Sequence, residues 1–189
     1  MDGGACKAGA VCGRYLPDAP TMNKPEFTIR PAAFGDLPFL REMLFEAAAV
    51  SDRVREMGKE QALALPFLAH ILENFGRQGD FGFVAESENG HLIGAIWARL
   101  FPVEAQGYGF VSAEIPELAV AVAPGFRGQG AGTRLLEELI KEARRLKFPA
   151  LSLSVDRRNP ALKLYERLGF ADAGISKESD SSVTMILYL

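Results

Sequence analysis

Residues 117–147, ELAVAVAPGFRGQGAGTRLLEELIKEARRLK, constrain this chain more than any other stretch. An apolar run ends at Pro124, a glycine-rich segment from Gly125 to Gly132 follows, and a strongly periodic segment comes next. There Leu135, Leu136, Leu139, Ile140, Ala143 and Leu146 recur at helical spacing, with Glu, Lys and Arg between them. The order is strand, glycine turn, helix N-terminus. Such a turn is a cradle for phosphate, because close-set glycines let N–H groups point inward and a helix start leaves its first amides unpaired for an anion. Arg127 adds a fixed positive charge with planar donors in the same turn.

Glycine spacing separates the kinds of phosphate site. A nucleotide P-loop needs Lys and then Ser or Thr directly after its last glycine, but Gly130 is followed by Ala131, and Gly132 by Thr133 with no Lys. The dinucleotide fingerprint needs G-x-G-x-x-G, whereas the glycines fall at 128, 130 and 132. Asp156, at the end of the next apolar run, keeps a distorted dinucleotide site as a remote alternative. An ordinary strand-to-helix turn, with glycines for tight packing, is the plain alternative.

Composition narrows the class. With 189 residues, 48% of them apolar and 24% charged, the chain reads as one soluble globular domain with a real core. A net charge of -3 without any Lys/Arg block argues against nucleic acid as a partner. No apolar stretch is long enough to span a membrane, and without an export signal the expected location is cytoplasmic. Cys6 and Cys12 have no His nearby, and with 2 His in the whole chain no metal site is expected. Residues 1–25, rich in Gly, Ala and Pro, read as a flexible tail, and residues 26–189 as a single domain.

In chain order, Phe27–Arg30 alternates as a first strand that stops at Pro31. Asp36 is placed to cap a helix running to about Val50, with Pro38 in its first turn and Leu37, Leu40, Leu44 and Ala47 buried. Residues 51–78 read as a second helical region broken near Pro66. Phe81–Glu86 and His91–Leu100 form a hairpin about Asn89-Gly90, with Trp97 as core, His91 exposed and His70 structural. After a loop over 101–113, Glu114 and Glu117 flank Pro116, and the regular strand is expected from Glu117. Period 2 then puts Leu118, Val120 and Val122 on one face and Glu117, Ala119 and Ala121 on the other. A glutamate beside small residues on an apolar strand is a candidate base, because burial raises its pKa; an exposed strand-start glutamate is the plain alternative for either residue. Leu151–Val155 is a fifth strand, Asn159 and Pro160 open a helix that Gly169 ends, and Val183–Leu189 is a last strand.

Two blocks carry a family resemblance. Arg127-Gly128-Gln129-Gly130-Ala131-Gly132, preceded by Val120-Ala121-Val122-Ala123-Pro124, closely resembles the acyl-CoA-binding signature of the GNAT superfamily of N-acetyltransferases. Asn159 to Phe170, NPALKLYERLGF, is similar to that family's later motif, and the Ile29-Arg30-Pro31 opening is similar to its start. The resemblance spans most of residues 27–189 and is specific in the first two blocks. It implies an α/β (α+β) fold of three layers, with a central mixed, mostly antiparallel twisted sheet flanked by helices.

It also implies acetyl-CoA as acyl donor. The glycine turn from Arg127 to Thr133 would then hold the pyrophosphate, Val120, Ala121 and Val122 would pair with pantetheine through the main chain, and Asn159 would contact the cofactor or order water. Tyr165 matches the family's usual general acid, at the leaving sulfur. Glu117 is the candidate base, with Glu114 in reserve, since an amine with a free pKa of about 10 must lose a proton to attack. The activity so implied is direct transfer of an acetyl group to a primary amine of a small molecule. A protein or peptide amine as acceptor, and a non-catalytic acyl-CoA-binding module, stay open beside it. Acceptor identity would lie in residues 51–78, in the 101–113 loop and after residue 171. Homodimers are common in the family, and the sequence does not decide for or against one here.

Overall fold

The computed structural model describes residues 26–49 and 52–189, and the expected tail at 1–25 lies outside them. The strands are β1 (Phe27–Pro31), β2 (Phe81–Ser87), β3 (Leu92–Arg99), β4 (Glu117–Val122), β5 (Ala150–Asp156), β6 (Ala171–Asp172) and β7 (Ser182–Tyr188). They form one sheet in the order β1-β2-β3-β4-β5-β7-β6. Every neighbouring pair is antiparallel except β4 and β5. The helices are α1 (Leu37–Ala48), α2 (Asp52–Met57), α3 (Lys59–Leu63), α4 (Pro66–Leu72), α5 (Ala131–Arg145) and α6 (Leu162–Arg167).

Strand alternation builds a core on each side of the sheet. Ile96, Ala98, Leu118, Leu151 and Leu153 pack with the Leu135, Leu136 and Leu139 stripe of α5. Val84, Ala95, Trp97 and Ala121 meet α1, α3 and α4 through Leu40, Met43, Leu44, Ala62 and Leu68. Each fully buried leucine contributes roughly 1.5–3 kcal/mol, so the α5 stripe fixes that helix, and its first turn, against the sheet. Leu146 departs from the expected stripe: it is 40% exposed, because it caps the helix that ends at Arg145. On α1, Met43 is buried, while Leu37 and Ala47 are only half-buried.

Three local expectations are corrected. Asp36 does not cap α1 through its side chain. Its carboxylate accepts two hydrogen bonds from the Arg30 guanidinium, at 2.8 and 2.9 Å, and one from the Ala33 amide at 2.7 Å, which hold it below its ordinary pKa. The expected helical region breaks ahead of Pro66 as anticipated, but its described residues form three short helices that stop at Leu72, because Asn74 and Gly76 turn into the left-handed region at φ 53 and φ 108. The freed carbonyls of His70, Ile71 and Glu73 are collected by the fully buried Arg99, which also meets Asp80 at 3.1 Å. Asn159 caps the turn ahead of α6 rather than the helix itself, its side-chain oxygen accepting from the Ala161 amide at 2.9 Å.

Gly169 ends α6 at φ 96. The Phe170 amide bonds the Tyr165 carbonyl and the Gly169 amide the Glu166 carbonyl, which is the Schellman pattern. The Tyr165 and Phe170 rings pack edge-on, 6.0 Å between centroids.

Candidate active site

The glycine turn is built from main chain. Gly128 and Gly130 adopt φ 75 and φ 93, and a Cβ at either would meet nothing within 4 Å. Backbone angle, not crowding, requires glycine at both positions. Among the described residues the amides from Gly128 to Thr133 find no acceptor. They form a run of donors that opens α5, where the helix dipole also favours an anion. Gln129 donates its side-chain amide to the Gly125 carbonyl at 3.2 Å, and its side-chain oxygen is buried without a partner among the described residues. A cleft of about 940 Å³ borders the turn, lined by Gln129, Gly130, Thr133 and Arg134 together with β1 and the β2 hairpin.

Arg127 lies differently from the simple expectation of a cation aimed into the turn. Its Nε donates to the Val122 carbonyl at 3.0 Å and its terminal nitrogen meets Glu46 of α1 at 2.7 Å. The side chain is more than half exposed.

From the turn, β4 runs back along a gap in the sheet. The Ala123 amide donates to the Ile93 carbonyl, so by strand alternation Ala119 and Ala121 turn their main-chain groups to β3, and Val120 and Val122 turn theirs towards β5. But β5 meets β4 at one register pair only, Glu117 with Ser152, braced by the Ser152 amide on the Pro116 carbonyl at 3.0 Å. Beyond that pair the strands part, and Val120 and Val122 face the gap without a strand partner. Apart from the Val122 carbonyl, which Arg127 occupies, the extended main chain there is an unfilled ladder.

Glu117 sits at the closed end of the gap, on the α1 side of the sheet, and is 9% exposed. Burial pushes its carboxyl up to about 7, against the opposing pull of the Gly109 and Tyr108 amides. One of its oxygens, Oε2, has no partner among the described residues. The loop over it needs glycine for close approach: a Cβ on Gly107 would overlap the Glu117 carboxylate, and one on Gly109 would overlap the Leu153–Ser154 backbone. Tyr108 meets Phe67 of α4 edge-on at 5.9 Å, and both rings are partly exposed beside the site. His70 pins this loop to α4 through the Gln106 and Pro66 carbonyls, each at 3.2 Å, so its place is structural.

Of the other candidates, Glu114 stands on the surface, where the Ser112 hydroxyl donates to it at 3.0 Å; it is not brought to the buried carboxylate. Tyr165 is buried in the α5-side core. Desolvation pushes its phenol up to about 12, so at neutral pH it is a proton donor. Glu117 and Tyr165 thus lie on opposite faces of the sheet, and the parting of β4 and β5 is the opening between those faces. Sequence reasoning missed Gly107, Gly109 and Ser152. The Leu-Ser-Leu-Ser alternation of β5 was a signal for the last; nothing local marks the two glycines. Among the described residues no group of three metal-binding side chains occurs, and no helix is long and apolar enough to cross a membrane.

Residues 42–170 match the acetyltransferase (GNAT) family. The Putative phosphinothricin acetyltransferase YwnH of Bacillus subtilis (strain 168) is 33% identical over 95 residues, which are 49% of this chain and 55% of that relative, so the match spans about half of each. Among solved structures, the ribosomal-protein-alanine N-acetyltransferase of Brucella melitensis superposes with a TM-score of 0.63 at 30% identity, covering 86% of this chain and 99% of that one. The PaiA N-acetyltransferase of Thermoplasma acidophilum, solved in complex with coenzyme A, shares the fold with a TM-score of 0.56 at 21% identity, over 87% and 99% of the two chains.

Proposed function

The chain belongs to the acetyltransferase (GNAT) family, whose acyl donor is acetyl-CoA, and from that premise we propose that it transfers an acetyl group directly to the primary amine of a small molecule. One observation carries the reading. A run of free amides, an unfilled stretch of β4 and a buried carboxylate with a pKa near neutrality follow one another along a single gap. Residues 26–189 act in this reading as one catalytic domain.

The amides of Gly128 to Thr133 hold the pyrophosphate, with Asn159 contacting the cofactor. The main chain of Val120 and Val122 pairs with the pantetheine arm. Binding energy far from the reacting carbon then sets the thioester at the closed end of the gap. Glu117, titrating near pH 7, takes the proton from the acceptor ammonium directly or through one water. The amine nitrogen attacks the thioester carbonyl, and a β4 amide meets the negative oxygen. As the carbon–sulfur bond breaks, Tyr165 gives a proton to the sulfur, and the nitrogen sheds its second proton to solvent, from which the Tyr165 phenol is restored.

A small acceptor is favoured by the loop over Glu117, which packs Gly107 directly on the carboxylate. The cleft at the glycine turn and the one between Ala32–Leu37 and Asn74–Arg77 do not include Glu117. The second reading, a protein α-amine, is favoured by the 30% identity to the ribosomal-protein-alanine enzyme.

The test is CoA-thiol release from acetyl-CoA with a panel of amino acids, small amines and alanyl peptides. Higher kcat/KM on a small amine is expected, and higher kcat/KM on peptides would select the second reading. Tight acetyl-CoA binding with no thiol release on any amine would reduce the protein to an acyl-CoA-binding module.

A further inference from the structure

Ser152 is a fully buried residue in the middle of β5, and among the described residues its hydroxyl has no hydrogen-bond partner. Strand alternation gives its direction. Leu151, Leu153 and Val155 belong to the α5-side core, so Ser152 turns to the opposite face. Leu118 belongs to the α5 side as well, and Glu117 therefore turns to the same face as Ser152. The two are the register pair that joins β4 to β5.

Two residues that each carry a buried polar atom without a partner among the described residues, Ser152 with its Oγ and Glu117 with its Oε2, are thus paired on one face at the closed end of the gap. Parallel strands lie about 4.8 Å apart, a separation at which one water can join side chains that do not meet directly. The buried hydroxyl on this face of the neighbouring strand is matched: Thr184 of β7 accepts from Ser176 at 3.4 Å. An alanine at 152 would leave no buried hydroxyl to satisfy, so packing alone does not explain the serine.

We propose that Ser152 is a positioning residue, whose hydroxyl holds a water against the free oxygen of Glu117, and that this water relays the proton from the acceptor ammonium. The inference rests on the reading of Glu117 as base. In the step, the ammonium gives its proton to the water oxygen while one of the water's own protons passes to Glu117. Ser152 hydrogen-bonds to the water throughout and ends unchanged.

The charged groups on the surrounding elements are otherwise engaged or exposed. Arg99 on β3 is spent on Asp80 and the α4 carbonyls, and Asp156 at the far end of β5 meets Arg158. On α1, Glu46 meets Arg127 and Glu42 meets Lys59, while Arg41 is exposed. Tyr108 on the covering loop is neutral, its phenol pushed up by burial and by Glu117 itself.

The experiment compares the parent with Ser152→Ala and Ser152→Thr. For Ser152→Ala, kcat is expected to fall roughly tenfold, the size of a hydrogen bond to a charged group, with an unchanged Tm and unchanged KM for acetyl-CoA. The acidic limb of its pH–kcat profile moves to higher pH, because the ionised carboxylate loses a donor. Ser152→Thr, which keeps the hydroxyl, restores the parent profile. In a second arm that needs no turnover, the Glu117 carboxyl carbon is titrated by NMR in parent and Ser152→Ala, with Glu117→Gln for assignment; an upward shift is expected. If Ser152→Ala leaves both titration and profile unmoved, the inference is overturned. If the parent acetylates no amine, the function reading fails, and the titration alone decides the role of Ser152.

Discussion

The glycine turn and the Glu117 vertex lie at opposite ends of one strand and are built on opposite principles. The turn is main chain: its donors are the amides of consecutive residues 128–133, and its conformation comes from φ 75 and φ 93 at two glycines. It is partly exposed, and one side chain, that of Gln129, braces it through the Gly125 carbonyl. The vertex is side chain: a carboxylate from β4, a hydroxyl from β5, a covering loop from residues 107–109, and Arg99 on β3 tying off α4 nearby. It is buried, and its chemistry comes from that burial. A main-chain site tolerates change in what surrounds it and fails when a backbone angle is denied. A side-chain site fails when one functional group or its desolvation is lost.

The largest effect is therefore expected at the vertex. Glu117→Gln removes the base while nearly keeping shape, and should lower kcat by about 10²–10⁴-fold with acetyl-CoA affinity held within about twofold by calorimetry. Stability should move the other way above neutral pH. Burial raises the Glu117 pKa from the ordinary 4.5 to about 7. The folded state thus binds a proton more tightly than the unfolded chain. The resulting stability is fully present below pH 4.5 and is lost as pH rises through about 7. Measured against Glu117→Gln by urea unfolding, the parent should lose on the order of 3 kcal/mol between those limits. A difference that stays flat with pH would mean an exposed carboxylate, and a parent that gains on the variant with rising pH would mean one stabilised in its charged form; either would remove the contrast between the two ends.

At the other end, Gly130→Glu should weaken acetyl-CoA binding by roughly 100-fold. A left-handed angle costs a non-glycine residue about 1–2 kcal/mol, and a carboxylate placed among the amides opposes a phosphate. Once the donor saturates, kcat should be close to the parent value, since Glu117 is untouched. Calorimetry and saturation kinetics separate the two effects. A fall in kcat without a change in affinity would show the ends to be coupled rather than separate.

How far each end was legible in the sequence follows from the same difference. A main-chain site is contiguous, so strand, turn and helix lie at the residues that the periodicity and the glycines mark, and β4 begins at Glu117 as the proline indicated. The hairpin about Asn89-Gly90 was legible for the same reason: its turn is local, and Gly90 takes φ 77. The alternation of β4 also placed Glu117 on the face of Ala119 and Ala121. What covers the carboxylate was not legible, because Gly107 and Gly109 act through a close approach that no local pattern records. Ser152 becomes its neighbour only when β4 and β5 pair in parallel across the whole of α5. Asp36 was misread for a related reason. Its position suits a cap, but Arg30, six residues earlier, offers two charge-assisted bonds that outweigh one amide.

The covering loop gives the next test. Gly109→Ala puts a methyl into the Leu153–Ser154 backbone, which cannot yield as a flexible side chain would. A loss of about 1–3 kcal/mol in urea unfolding is expected, with the donor turn unaffected. If the variant is as stable as the parent, the loop is not seated on β5, and the burial of Glu117 needs another cause.

Arg127→Ala should have the smallest effect, and it bears most directly on how separate the two ends are. The motif places Arg127 beside the phosphate, yet its guanidinium bridges the Val122 carbonyl and Glu46 of α1. An exposed ion pair of this kind contributes about 0–1 kcal/mol, so its loss should barely change stability. If the guanidinium stays on Glu46 when the donor binds, acetyl-CoA affinity should fall by less than about fivefold, with little change in its salt dependence. If instead it swings onto phosphate, the loss would exceed that and shrink as salt is added. Glu46→Gln distinguishes the two without touching the turn. Freeing Arg127 from its carboxylate leaves affinity unchanged in the first case and tightens binding in the second, where the pair must break before the arginine can serve the anion.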